Sequence, residues 1–278
     1  MGLFLLFVYS MKRGKSPLDL PGVVKASRDI AGGHQVTLEL EAEREHVPAI
    51  LLVPNGASGR SGALLLHGFT SRKERMAEGI GRALLARGVA TLSIDLPLHG
   101  AREGSIDELS LRNPLQLIGA WRLALSEVRL SLDYLTQLAV IDAARLALVG
   151  YSLGSFLSVV AAAGDERVRA MVLASGGDLP ERTPFATLVR AAADPLRAVR
   201  KFAGRPLLMV NGRYDRTITS AQAERLFEAA REPKEIHWYQ GGHWPPPPEI
   251  EFAAEWLSAR LGDVRSASRR RAKSVGAD

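Results

Sequence analysis

The chain has 278 residues, 46% hydrophobic and 24% charged, which suits one large soluble α/β domain or two small ones. It has no cysteine, so disulfides, thiolate metal sites and a cysteine nucleophile are excluded, and a cytoplasmic location is the expectation. The net charge of +6 is not a nucleic-acid footprint: Arg265, Arg269, Arg270, Arg271 and Lys273 against Asp278 put +4 into residues 264–278, leaving about +2 for the rest, ordinary for a soluble domain.

Residues 1–21 read as an N-terminal arm. The apolar run 3–9 is far short of the roughly 20 residues that span a bilayer. Lys12, Arg13 and Lys15 follow that run rather than precede it, the wrong order for a signal peptide, and Leu6 stands where a myristoylation motif needs Ser or Thr. No stable membrane insertion is expected. The run is either an ordered apolar arm or the product of a start codon upstream of the true one at Met11.

Residues 22–53 alternate apolar and polar side chains, with 36–40 and 49–53 predicted as an antiparallel strand pair. From there strand and helix alternate. Residues 63–66 form a short, wholly apolar strand. Residues 73–87 have helical spacing and stop at Gly88, and 89–94 form the next strand. A long helix follows Asn113-Pro114 to about Leu135, since proline suits a first helical turn. A strand over 146–149 and a helix over 155–163 come next. Strands are then expected at 168–173, 206–210 and 236–239, and closing helices at 221–231 and 249–261.

Wholly apolar strands between amphipathic helices imply a parallel sheet covered on both faces; about eight strands are expected in a single domain with its core at about 22–262. The stretch 176–203 is longer than a bare connection and contains Leu179-Pro180, Thr183-Pro184 and a helical run near 185–192, so it is the candidate for a small cap. Residues 264–278 read as a basic, disordered tail.

The chemistry begins where residues 146–149 run into Gly150-Tyr151-Ser152-Leu153-Gly154. A strand, then Gly-x-Ser-x-Gly, then a helix makes a turn so tight that the central serine projects from the backbone, with the outer glycines leaving room for strand and helix to approach. Such a serine proposes acyl transfer through a covalent intermediate and calls for an acid and then a histidine later in the chain. Asp215 lies just past the strand end Asn211-Gly212. It could instead cap the helix near Thr219 or pair with Arg216, and Asp178 and Asp194 fit the strand-end position less well. His243 follows Gly241-Gly242 and precedes Trp244 and four prolines, whereas His237 falls inside a strand pattern.

The order Ser152, Asp215, His243 together with Leu66-His67-Gly68-Phe69-Thr70 and Gly212-Arg213-Tyr214-Asp215 resembles the α/β-hydrolase superfamily over nearly all of residues 22–262, in particular small bacterial serine esterases and dienelactone-hydrolase-like proteins. That resemblance implies an α/β-hydrolase fold with an antiparallel edge. It also implies a Ser152–His243–Asp215 triad and an oxyanion hole made by the Leu153 N–H and, in the loop after the first parallel strand, the Phe69 N–H, with Thr70 the lesser donor. His67 is expected to brace that loop. The Asp95-x-Pro97-x-His99-Gly100 stretch resembles one that recurs in dienelactone-hydrolase-like families and is expected to shape a turn. Thr70, His99, Tyr151 and Trp244 are candidate substrate-pocket residues.

The implied activity is hydrolysis of carboxylic esters, without metal or cofactor and with a small-molecule ester as the partner; the short inserted segment 176–203 leaves a modest pocket, so short-chain or small aromatic esters are expected. Thioesterase or acyltransferase activity on the same triad, and a non-catalytic ligand-binding role, are the alternatives.

Overall fold

A computed structural model describes residues 22–275 except 43–44, 57–58, 107–112 and 180–185. The N-terminal arm with Met11, and Pro180 and Thr183-Pro184 of the expected cap, therefore lie outside the described residues.

Three strands come first among the described residues: β1 (Gly22–Ile30), β2 (Gly33–Leu40) and β3 (Val47–Pro54). They pair antiparallel in sequence order, and β3 pairs antiparallel with β5 (Ala90–Ile94). From β5 onward every neighbour is parallel, through β4 (Arg60–Leu66), β6 (Ile141–Tyr151), β7 (Val168–Ala174), β8 (Leu207–Gly212) and β9 (Lys234–Tyr239). The full order is β1-β2-β3-β5-β4-β6-β7-β8-β9.

Among the described residues the sheet thus has nine strands where about eight are expected. The added one is β1, which is exposed along nearly its whole length and carries no apolar run. It is held by its backbone ladder to β2, by the side-chain pairs Lys25–Glu39, Arg28–Gln35 and Asp29–His34 across that ladder, and by Ile30 packing on a small apolar cluster. Its charged side chains and a register shift between Val24 and Ala26 suit an edge strand that must not recruit another chain.

The parallel strands show why they read as continuous apolar runs. Successive side chains point to opposite faces, and both faces are buried. Leu64, Leu66, Leu146, Leu148, Met171 and Leu173 enter one core. Ala63, Leu65, Ala147, Val149, Ala170 and Val172 enter the other.

The first core is covered by α3 (Pro114–Gln137), α4 (Leu153–Ala163), α6 (Pro195–Arg200) and α7 (Ser220–Ala229), through residues such as Val128, Leu132, Leu157, Val199 and Leu226. The second is covered by α1 (Lys73–Met76), α2 (Arg82–Ala86) and α8 (Pro247–Val275), through Met76, Leu84, Ala253 and Leu257. A π-helical turn, Ala77–Gly81, joins α1 to α2 within the span predicted as one regular helix; Gly79 there has non-helical ψ of −105°. The last helix, α8, runs on past Leu261 as far as Val275.

The expected cap region holds α5 (Ala186–Ala193) and α6. Ala198, Val199 and Phe202, in and just after α6, are buried in the first core, so the far end of this segment is anchored to the sheet. Its near end is anchored by Asp178, which pairs with Arg190 of α5 and Arg225 of α7. No helix among the described residues is long and apolar enough to cross a membrane.

Candidate functional site

Four adjacent strands, β5, β4, β6 and β7, each end in a loop containing a non-glycine residue with positive φ. These are Leu98 (φ 64°), Thr70 (φ 58°), Ser152 (φ 50°) and Ser175 (φ 49°). The left-handed region is costly for side chains other than glycine, and such residues persist only where surrounding contacts impose them. Here they stand in a row at the C-terminal edge of a parallel sheet, the edge at which such sheets bind ligands.

At the centre of this row β6 turns sharply into α4. The turn works because both glycines have backbone against them. A Cβ at Gly150 would lie 2.3 Å from Gly154 O, and one at Gly154 would lie 2.1 Å from Leu66 O. The Ser152 N–H donates to Ala174 O at the end of β7 (3.0 Å), fixing the elbow to the neighbouring strand.

The geometry brings Ser152, His243 and Asp215 together, although they lie far apart in the chain. Ser152 Oγ is 2.9 Å from His243 Nε2, and His243 Nδ1 is 2.7 Å from Asp215 Oδ2. Asp215 lies on the turn after β8. Its second oxygen, Oδ1, accepts from the N–H groups of Thr217 (2.7 Å) and Ile218 (3.0 Å). Burial of Asp215 opposes its charge, but the bonds from His243, Ile218 and Thr217 outweigh that and hold the carboxyl below the usual aspartate value. An ionised Asp215 only accepts, so His243 Nδ1 carries a proton, and in the neutral imidazole Nε2 faces the serine hydroxyl as a lone pair.

The competing acids are engaged elsewhere. Asp178 serves the ion pairs with Arg190 and Arg225, and Asp194 caps α6 by accepting from Leu196 and Arg197 N–H groups. Asp215 does not cap α7; Thr219 does, in a capping box with Gln222. His237 bonds Glu249 (2.6 Å) and stacks on Phe252, away from the serine.

The loop after β4 lies against the elbow, since a Cβ at Gly68 would approach Ser152 Cβ to 3.2 Å and the Tyr151 ring to 2.7 Å. Neither the Phe69 N–H nor the Leu153 N–H has a hydrogen-bond partner among the described residues. His67 ties this loop to the end of β5: its Nδ1–H donates to Gly68 O (2.8 Å) and its Nε2 accepts from the Leu96 N–H (3.0 Å). Both bonds require one neutral tautomer. Burial, against the partial help of the Gly68 bond, pushes the His67 pKa down to about 4.

Asp95 shapes the next loop, accepting from the Lys73 and Ala101 N–H groups (2.8 and 2.9 Å) and from the buried Lys73 ammonium (2.7 Å). Arg102, further along that loop, is buried and pairs with Glu127 of α3 and with Glu45.

The four candidate pocket residues fall into separate places. His99 is buried, donates from Nδ1 to Pro97 O (2.8 Å) and meets the exposed Phe69 ring edge-on at 5.9 Å; burial lowers its pKa. Thr70 is exposed beside Phe69. Tyr151 and Trp244 stack on each other at 4.4 Å, and the Arg75 guanidinium lies 3.8 Å from the Trp244 ring centre. These two line a cleft of about 100 Å³ together with Gly79, Ile80, Ile250 and Ala253, between the π-helical turn and α8. Among the described residues no group of three or more His, Asp or Glu side chains is placed to hold a metal ion.

The Lys73–Asp95 pair, the Arg102 cluster and a set of hydroxyls around the His243 loop are absent from the sequence-based expectation. The first two join residues 22 and 25 positions apart and leave no local pattern.

A family model described as "Alpha/beta hydrolase family" matches residues 63–267. No curated protein matches the sequence. Among solved structures, the chain is similar to a cold-adapted esterase from an Arctic intertidal metagenomic library, with 20% identity over 85% of this chain and 98% of that one (TM-score 0.68). It is similar to acetyl xylan esterase 1 from Thermoanaerobacterium sp. JW/SL YS485, with 15% identity over 87% and 88% of the two chains (TM-score 0.70). It is also similar to Est1E from Butyrivibrio proteoclasticus, solved with ferulic acid bound, with 18% identity over 82% and 99% (TM-score 0.65). At such identities the likeness is one of fold.

Proposed function

Because the chain belongs to the alpha/beta hydrolase family, we propose that it hydrolyses carboxylic esters, with Ser152 as nucleophile, His243 as base and acid, and Asp215 as the group that orients and stabilises the imidazole. The observation that carries this reading is the unbroken hydrogen-bond chain from Asp215 through His243 to a serine raised on a strained turn. A serine hydroxyl is a weak nucleophile until its proton is taken. As Ser152 Oγ attacks the ester carbonyl, its proton passes to His243 Nε2, and the imidazolium that forms is held by Asp215. His243 then returns the proton to the leaving alkoxide, giving an acyl-Ser152 and an alcohol. Water, deprotonated by the same nitrogen, attacks the acyl group and releases the acid and the free serine.

The charge that develops on the carbonyl oxygen goes to the N–H groups of Phe69 and Leu153, which have no other partner among the described residues. One such donor is worth about 3–4 kcal/mol of the barrier. Small acyl groups are the substrates we favour, supported by the similarity to an acetyl xylan esterase and to Est1E, which was solved with ferulic acid bound.

The test is labelling with a fluorophosphonate probe and peptide mass spectrometry, followed by rates on p-nitrophenyl esters from acetate to palmitate. Label on Ser152 that vanishes in Ser152→Ala, with an optimum at short chains, is the expected result. Persistent labelling of that variant refutes the nucleophile, and an optimum at long chains refutes the substrate class.

A further inference from the structure

The loop bearing His243 contains Gly241 and Gly242, whose missing side chains give it nothing to pack with; a Cβ at Gly242 would meet no atom within 4 Å. Its conformation is held instead through three successive carbonyls. Gly241 O accepts from the Tyr214 N–H (2.9 Å), and Gly242 O from the Tyr239 hydroxyl (2.7 Å). His243 O accepts from Ser175 Oγ (2.5 Å) and, at longer range, from the Tyr151 hydroxyl (3.3 Å). The donors come from the ends of β6, β7 and β9 and from the turn after β8, so the loop is tied across four adjacent strands.

Ser175 stands out among these donors. It is fully buried, its φ of 49° lies in the region where glycine is favoured, and its N–H is tied to Val210 O. Glycine would satisfy the backbone there without strain but would lack the hydroxyl. We propose that Ser175 is a positioning residue that, with Tyr239 and Tyr151, holds His243 at proton-transfer distance from Ser152. The inference rests on the esterase reading of the same site, and it adds a device that acts through the histidine backbone rather than on substrate. The two phenols are suited to the task. Burial pushes the Tyr239 pKa up to about 12 and raises that of Tyr151, so both stay protonated donors throughout the neutral range.

The experiment compares Ser175→Gly and Ser175→Ala with wild type. Ser175→Gly removes the hydroxyl while relieving the backbone, so the melting temperature should hold. With p-nitrophenyl acetate its kcat should fall by about 10- to 100-fold with little change in KM, the scale expected for sub-ångström to ångström misplacement of a catalytic group. Ser175→Ala, which keeps the Cβ and the backbone strain but lacks the hydroxyl, should lose as much as Ser175→Gly. A wild-type kcat in either variant overturns the proposal, as does a loss in Ser175→Gly that Ser175→Ala does not share. The His243 Nδ1 proton, followed by NMR, gives a readout independent of turnover. It should broaden or shift in Ser175→Gly; an unchanged signal overturns the proposal. A wild-type chain that neither turns over ester nor labels at Ser152 refutes the esterase reading instead, and the NMR comparison still decides the role of Ser175.

Discussion

Replacing Gly154 with alanine adds one methyl group at the point where α4 presses on the end of β4. The new Cβ would lie 2.1 Å from Leu66 O and 2.8 Å from His67 O, both main-chain atoms that cannot rotate away. Cβ contacts below 3.0 Å essentially do not occur, so helix and strand must part by about 0.9 Å at the tighter contact. Overpacking of this kind costs about 1–3 kcal/mol, and the upper end applies because no flexible side chain can absorb the overlap. For a domain of this size that lowers Tm by roughly 6–12 °C. The same displacement separates the Leu153 N–H, on the helix, from the Phe69 N–H, on the loop after the strand, so kcat should drop by about 100-fold. Differential scanning fluorimetry and p-nitrophenyl acetate turnover measure the two effects. Gly119→Ala is the internal control: Gly119 is exposed within α3 and its Cβ would meet nothing within 4 Å, so this change should stabilise by about 0.5–1 kcal/mol and leave kcat alone. A Gly154→Ala protein with wild-type Tm and kcat would refute the close-approach argument for the elbow.

Lys73→Met should destabilise by about 3 kcal/mol in urea titrations, because it strands the fully buried Asp95 carboxylate without its cation; an unchanged midpoint would mean that the backbone donors to Asp95 suffice. The His67 pKa, near 4 in the folded protein and near 6.5 in the unfolded chain, means that the unfolded state takes up a proton the folded state refuses. Stability should therefore fall as pH drops from about 6.5 to 4, by up to roughly 3 kcal/mol, and His67→Gln should flatten that slope. Asp215 acts in a lower window. Its folded pKa is depressed, so its contribution is present above the ordinary aspartate value of about 4 and is lost as pH falls through the folded value; Asp215→Asn should flatten the acid limb of the urea midpoint, to which Asp165 and Glu235 also contribute, while leaving the limb above pH 4 in place.

The parts of this molecule that were legible in the sequence are those where burial leaves a pattern. β4, β6, β7 and β8 are apolar on both faces and read as strands at once, and the glycines of the elbow read correctly because a close approach admits no other residue. β1 is not legible as a strand of its own because its side chains face solvent, and it is joined to β2 by main-chain bonds and exposed polar pairs that leave no apolar pattern. The start of β6 was missed for a related reason: Asp142 to Ala144 are polar or exposed, although they continue the strand. The π-helical turn keeps helical spacing in sequence and differs only in backbone geometry at Gly79.

At the candidate site the same division has a physical cause. Ser152, Asp215 and His243, which the structure brings together, stand out in the sequence because each follows a strand end, and strand ends are marked by apolar runs that stop. Ser175 also sits at such an end, but its distinguishing property is a left-handed backbone that leaves the residue type unremarkable. The parallel ladder beneath the site fixes where each strand stops, so groups can be raised above the sheet and turned toward one another only by bending the first residues of the loops. Four strained residues on four neighbouring strands are the result, and the strain is sustained because hydrogen bonds such as Ser152 N–H to Ala174 O and Ser175 N–H to Val210 O join one strand end to the next. A residue held in this way is recognised by what its side chain does in that conformation. For Ser152 that is contact with an imidazole, and for Ser175 it is contact with the carbonyl of the residue that carries the imidazole.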